Sequence, residues 1–184
     1  MGDFSLDGNK VPFLKLHGSI DWFCLQPDDG NQYDRHIGVI PPDHDFQHTR
    51  TDGGDLQWPT RGRPELLTGT VNKIQQYSSG IFRDLHYRFR STLGEASQII
   101  ICGYGFGDKG INSEIINWCY EEEGRQLIII HPNPSNLKAA ARGAIQNNWC
   151  TWINNGSLSF IEKNFEKVTV DEFWKLVSSN KISG

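Results

Sequence analysis

The apolar residues of this 184-residue chain change rhythm near position 65. Beyond it, short continuous apolar runs alternate with segments whose apolar residues recur every three or four positions. Gln98–Cys102 (QIIIC), Leu127–Ile130 (LIII) and Leu158–Ile161 (LSFI) are the continuous runs. Without polar alternation, such β-branched stretches predict strands covered on both faces. Ser79–Leu93 places Phe82, Leu85, Phe89 and Leu93 at helical spacing, with Ser78 or Ser79 to cap it and Gly94 to end it. Ile111–Glu123 puts Ile111, Ile115, Trp118 and Cys119 on one helical face. An Ala-rich segment capped by Ser135 predicts a helix running to about Trp149, and Val170–Val177 predicts a closing helix. Strands alternating with amphipathic helices predict an α/β fold, with a parallel sheet, helices on both faces and right-handed crossovers.

Before position 65 the pattern is less regular. Residues 1–10 are polar and predict a flexible N-terminus. Val11–Leu16 (VPFLKL) predicts a short strand leading into His17-Gly18-Ser19. Residues 23–63 carry Pro27, Gly30, Pro41-Pro42, Gly53-Gly54 and Pro59 amid many polar residues. That punctuation predicts an irregular insertion, with a short strand at Ile37–Ile40. Leu66-Leu67 suggests another short strand. The organisation expected is therefore one domain over 11–184, with the insertion 23–63 inside it.

Composition narrows the function classes. Eighteen basic residues against 22 acidic ones give a formal net charge of −4, so no basic field points to nucleic acid. Arg83, Arg88 and Arg90 read as a solvated helix face. Cys24, Cys102, Cys119 and Cys150 contain no CxxC pair, which excludes a Cys₄ zinc site. Cys102 ends an apolar run and reads as a core thiol. His36, His44 and His48 lie in an irregular acidic loop, a poor setting for a metal. No 18-residue apolar stretch or leader peptide is present, so a cytoplasmic protein without a membrane partner is expected.

Open parallel sheets bind ligands at the carboxyl ends of their strands. That rule selects His17-Gly18, the run Gly103-Tyr104-Gly105-Phe106-Gly107-Asp108, and His131. Glycines after a buried strand let the backbone approach a ligand, and a helix that follows favours phosphate. The spacing matches neither GxGxxG nor a P-loop, so a plain tight turn stays open beside nucleotide binding. Asp108 suits an N-cap as well as a ribose contact. His17 could serve as a general base or simply hydrogen-bond its turn, and His131 faces a similar choice.

Four segments then converge on a known family. Leu14-Lys15-Leu16-His17-Gly18-Ser19-Ile20-Asp21-Trp22 resembles the LHGS segment of sirtuins and, more closely, of the bacterial SIR2-like family. Thr70-Val71-Asn72-Lys73 resembles its TxNK turn. Residues 101–112 (ICGYGFGDKGIN) resemble its GYSFxDxxIN segment, and Ile129-Ile130-His131-Pro132-Asn133 its strand ending at the adenosine ribose. The match runs from about residue 11 to 177. It implies a partial sirtuin-type, Rossmann-like fold and NAD as substrate or ligand. It further implies that His17 is the catalytic base at the nicotinamide ribose. Gly103, Tyr104 and Gly105 would line the ribose and phosphates, with Gly18, Phe106 and Asp108 beside them. Asn112 and His131 would lie near the adenosine half. Many members of this branch cleave NAD, as hydrolases, in bacterial defence against phage.

Three departures shape the expectation. The zinc ribbon of sirtuin deacetylases has no counterpart in residues 23–63, so neither zinc nor protein deacetylation is expected. Gly105 stands where the family usually has Ser. The family's Gly-rich phosphate loop and Asn-Ile-Asp segment precede LHGS, and residues 1–10 contain neither. The partners expected are thus a nucleotide and either a second copy or a complementary N-terminal half. NAD cleavage at the nicotinamide–ribose bond stands beside two alternatives: non-catalytic ADP-ribose binding and an oligomeric scaffold.

Overall fold

The computed structural model describes residues 13–27, 36–40, 48–50, 53–54, 56–67, 77 and 80–179. It is a mixed α/β structure of two compact units, 1–89 and 90–184, whose boundary falls within one helix.

In the first unit, the described residues of 23–63 hold more strand than the punctuation predicts. They contribute an antiparallel sheet of β1 (Trp22–Pro27), β2 (His36–Val39), β3 (Thr49–Arg50) and β4 (Leu56–Pro59), in the order β2-β1-β4-β3. The expected strand at 37–40 is β2, shifted by one residue. Alternation explains β1: Phe23 and Leu25 are buried and pack with Ile40, while Trp22, Cys24 and Gln26 are half-buried. The strand expected at Val11–Leu16 is a second correction. Val11 and Pro12 lie outside the described residues, Phe13–Lys15 has no regular secondary structure, and Leu16-His17 forms a turn. The apolar side chains of this segment serve a different surface. Leu14 and Leu16 pack on a cluster of Leu67, Tyr77, Phe82 and Leu85. Just beyond the segment, Gly18 makes an isolated antiparallel bridge to Leu66.

Helix α1 (Gly80–Glu95) buries Phe82, Leu85 and Leu93 as the spacing predicts. It continues through Gly94 to Glu95; the capping serines expected at 78 and 79 lie outside the described residues.

The second unit follows the expected alternation. β5 (Gln98–Cys102), α2 (Lys109–Glu121), β6 (Gln126–Ile130), α3 (Pro134–Ala140), α4 (Gly143–Asn154), β7 (Leu158–Ile161) and α5 (Val170–Ser179) follow in order. The three strands form a parallel sheet, β5-β6-β7, with Cys102 opposite Ile130 and Ile130 opposite Ile161. Ile101, Leu127, Ile129 and Leu158 meet Ile115, Ile145 and Trp152 on one face. On the other, Gln98 donates from Nε2 to the Val177 carbonyl of α5, 3.0 Å away. Cys102 shares that second face with the exposed Ile100 and is itself exposed rather than a core thiol, whereas Ile101 on the opposite face is buried.

The Ala-rich segment departs from expectation twice. Asn133, not Ser135, caps it, its Oδ1 accepting from the Asn136 amide at 2.9 Å with Pro134 opening the helix. The helix also breaks: Ala141 and Arg142 take extended conformations, and α4 starts afresh at Gly143. Gly143, a poor residue for a helix interior, follows the break, and Arg142 makes tertiary hydrogen bonds there that are described below.

Helix α5 opens with a capping box. The Thr169 amide donates to Glu172 Oε2 at 3.1 Å and the Glu172 amide to Thr169 Oγ1 at 3.3 Å. Lys163 hydrogen-bonds the same carboxylate. The Lys163 ammonium first, then the Thr169 amide and hydroxyl, hold the Glu172 carboxyl below its ordinary 4.5, at about 2. A depressed carboxylate stabilises above its unfolded pKa and loses that contribution as pH falls through the folded one. Hydrogen-exchange protection of amides 172–174 should therefore hold at pH 5–7 and fade between about 4.5 and 2. Glu172→Gln should remove that acid step; an unchanged profile would contradict the assignment.

No helix among the described residues is long and apolar enough to cross a membrane.

Candidate functional site

The first unit positions His17 and Gly18. The turn is locked to residues 65–67 by backbone bonds: the Leu67 amide donates to the His17 carbonyl at 2.9 Å and the Ser19 amide to the Glu65 carbonyl at 3.2 Å. His17 is half-buried, and its Nε2 lies 2.9 Å from Tyr77 Oη. Tyr77 is buried and in turn packs on the buried His86 of α1, with ring centroids 3.6 Å apart. Neither Tyr77 nor His86 figured in the sequence motifs. A usable signal existed for His86, a histidine on the apolar face shared by Phe82, Leu85 and Phe89. Tyr77, sixty residues from its partner, had none.

The second unit carries Gly103, Tyr104, Gly105, Phe106, Asp108, Asn112 and His131. Gly103 and His131 each follow the paired residues Cys102 and Ile130. Adjacent strands run roughly 4.8 Å apart, so both positions stand together at the sheet's carboxyl edge. Gly103 has φ 70° and Phe106 φ 53°, a left-handed conformation that costs a non-glycine residue about 1–3 kcal/mol. Three restraints hold Phe106 there. Its ring is fully buried, 5.1 Å from Tyr104 and 6.0 Å from Trp149 between centroids. Its carbonyl accepts from Asn112 Nδ2 at 2.8 Å and from the Arg142 amide at 3.3 Å.

Asn112 is buried beneath the loop, and both ends of its amide are engaged, because Oδ1 also accepts from Tyr104 Oη at 2.8 Å. Burial, and secondarily the Asp108 charge, push the Tyr104 phenol well above its ordinary range, so it remains a donor. Asp108 is the N-cap of α2: its Oδ1 accepts from the Gly110 and Ile111 amides at 2.9 and 3.1 Å. His131 Nδ1 accepts from the Asn133 amide at 3.0 Å. Asn112→Ala should destabilise the chain by about 2 kcal/mol, from two lost hydrogen bonds and a small cavity. Urea unfolding checks this, with exposed Ser113→Ala as a control near zero; equal midpoints would refute the role.

The outer surface of the loop is open. A Cβ on Gly103, Gly105 or Gly107 would meet nothing within 4 Å, and Gly105 and Gly107 do not need a left-handed backbone. Among the described residues, no packing explains these two glycines. Arg142, absent from the sequence motifs, donates from Nε to the Gly107 carbonyl at 2.6 Å. A separate cleft of about 760 Å³ lies at the opposite end of this sheet, beside Gly124–Gln126 and Asn155–Ser157, and none of the expected site residues lines it. Among the described residues there is no group of three or more His, Cys, Asp or Glu poised for a metal.

Comparison of the chain with protein-family models, with curated proteins and with solved structures gave no match.

Proposed function

We propose that this chain is an NAD-handling domain of SIR2-like type, its three-stranded sheet being part of a Rossmann-like one. The loop Gly103–Asp108 holds the ADP-ribose portion of NAD, and His17 is the base in cleavage of the nicotinamide–ribose bond. The observation that carries the reading is the loop itself. It follows a parallel strand at the carboxyl edge, it is held in a strained conformation by buried groups, and its glycines leave open the space a ligand would fill. Strain fixed by surrounding structure is characteristic of ligand-binding loops. Glycines with open faces admit a diphosphate close to the backbone.

The reaction is a hydrolysis. The bond between the nicotinamide nitrogen and the ribose C1′ breaks, the electron pair leaves with nicotinamide, and water adds its oxygen to C1′. The water's proton passes to His17 and then to solvent. The products are nicotinamide and ADP-ribose. Incubation with NAD, at low and at high protein concentration, should release free nicotinamide in at least one case. ADP-ribose binding with no release under either condition would leave the non-catalytic alternative; neither binding nor release would overturn the reading.

A further inference from the structure

We infer that Arg142 is a phosphate-binding residue of the 103–108 loop, taking an oxygen of the ligand's diphosphate. The inference rests on the nucleotide reading above and adds a residue that no motif identified. Two independent observations carry it. The first is the break between α3 and α4. The segment Asn136-Leu137-Lys138-Ala139-Ala140-Ala141 favours helix, yet the helix stops where Arg142 reaches the loop. Arg142 bonds the loop twice, by its amide to the Phe106 carbonyl and by Nε to the Gly107 carbonyl.

The second is what those bonds leave over. Nε alone is spent on the loop; among the described residues, Nη1 and Nη2 make no hydrogen bond or ion pair, although the side chain is exposed. An arginine anchored at Nε presents its two remaining nitrogens as a fixed, planar donor pair, the geometry that suits phosphate oxygens. The loop carbonyl it bonds is that of Gly107, and a Cβ at Gly105 or Gly107 would meet nothing within 4 Å. The nearest carboxylate of the loop, Asp108, is buried and caps α2. A chain with net charge −4 needs a local cation to hold a diphosphate, and Arg142 supplies one tied to the loop.

Three ligands and two variants test this. ADP-ribose, adenosine and inorganic pyrophosphate are titrated into the full chain, into Arg142→Gln and into Arg142→Lys, by calorimetry and by the amide shifts of residues 103–107. Arg142→Gln should weaken ADP-ribose by roughly tenfold or more, as expected for a lost charge-assisted contact. Adenosine should bind both proteins equally, and Arg142→Lys should recover part of the loss. Undiminished ADP-ribose binding by Arg142→Gln would overturn the inference. So would a matching loss of adenosine, which would show a collapsed loop. If the unaltered chain ignores ADP-ribose while pyrophosphate still shifts the loop amides in an Arg142-dependent way, the NAD reading fails and the phosphate site stands. If neither ligand shifts them, both fail.

Discussion

Replacing His17 by Ala is expected to lower nicotinamide release by at least ~10²-fold, the usual contribution of a positioned general base. The expectation has a local basis beyond the motif. The imidazole is half-buried on a turn whose backbone is tied to residues 65–67, and Tyr77 holds its Nε2. A side chain restrained at both its backbone and its ring is already oriented, and orientation is much of what a catalytic base contributes. Tyr77→Phe keeps the buried ring stacked on His86 and removes only the hydroxyl, so it should lower turnover less than His17→Ala and leave the fold intact. Initial rates at saturating NAD, with thermal melts of each variant, separate catalytic loss from unfolding. Equal rates for the unaltered chain and His17→Ala would remove His17 from the mechanism.

Gly18→Ala should destabilise the first unit by about 3 kcal/mol or more, from left-handed strain of about 1–2 kcal/mol plus weakened backbone bonds worth about 1 kcal/mol each. Gly18 has φ 75°, and a Cβ there would sit 2.0 Å from the Glu65 carbonyl oxygen. Relief would require the turn to move away from residues 65–67, which are linked to it by the Ser19–Glu65 and His17–Leu67 bonds. A glycine that would be taken for a ligand contact on sequence grounds thus has a sufficient reason within the chain. Among the described residues nothing meets a Cβ at Gly105 or Gly107, and the contrast is informative: Gly105→Ala should leave the unfolding midpoint nearly unchanged while weakening ADP-ribose. Urea unfolding of the two variants decides the matter. A stable Gly18→Ala chain would show that the close approach to Glu65 is easily relieved.

What the sequence made legible follows from how local each determinant is. Gln98–Cys102 and Leu158–Ile161 coincide with the observed strands, because a short, mainly apolar run between helices has few other uses. The Asp108 cap was legible as one of two options, since a cap needs only the two or three residues that follow it. The antiparallel sheet of the first unit was hidden by strands of two to six residues among prolines and glycines. Phe23 and Leu25 nonetheless carry the period-two signal. The helix break at Ala141-Arg142 and the pairing of His17 with Tyr77 were not legible, because both depend on partners 35 and 60 residues away. The restraint on Phe106 was likewise invisible: it comes from Asn112 and Arg142 acting on one carbonyl.

The central claim is that the Gly103–Asp108 loop is a nucleotide-binding element. Titration of ADP-ribose into the isotopically labelled chain, followed by backbone amide shifts, tests it most directly. The account predicts saturable binding, with the largest shifts at Gly103, Tyr104, Gly105, Phe106 and Gly107 and a further shift at His131. No saturable binding, or binding whose shifts spare residues 103–107, would contradict it.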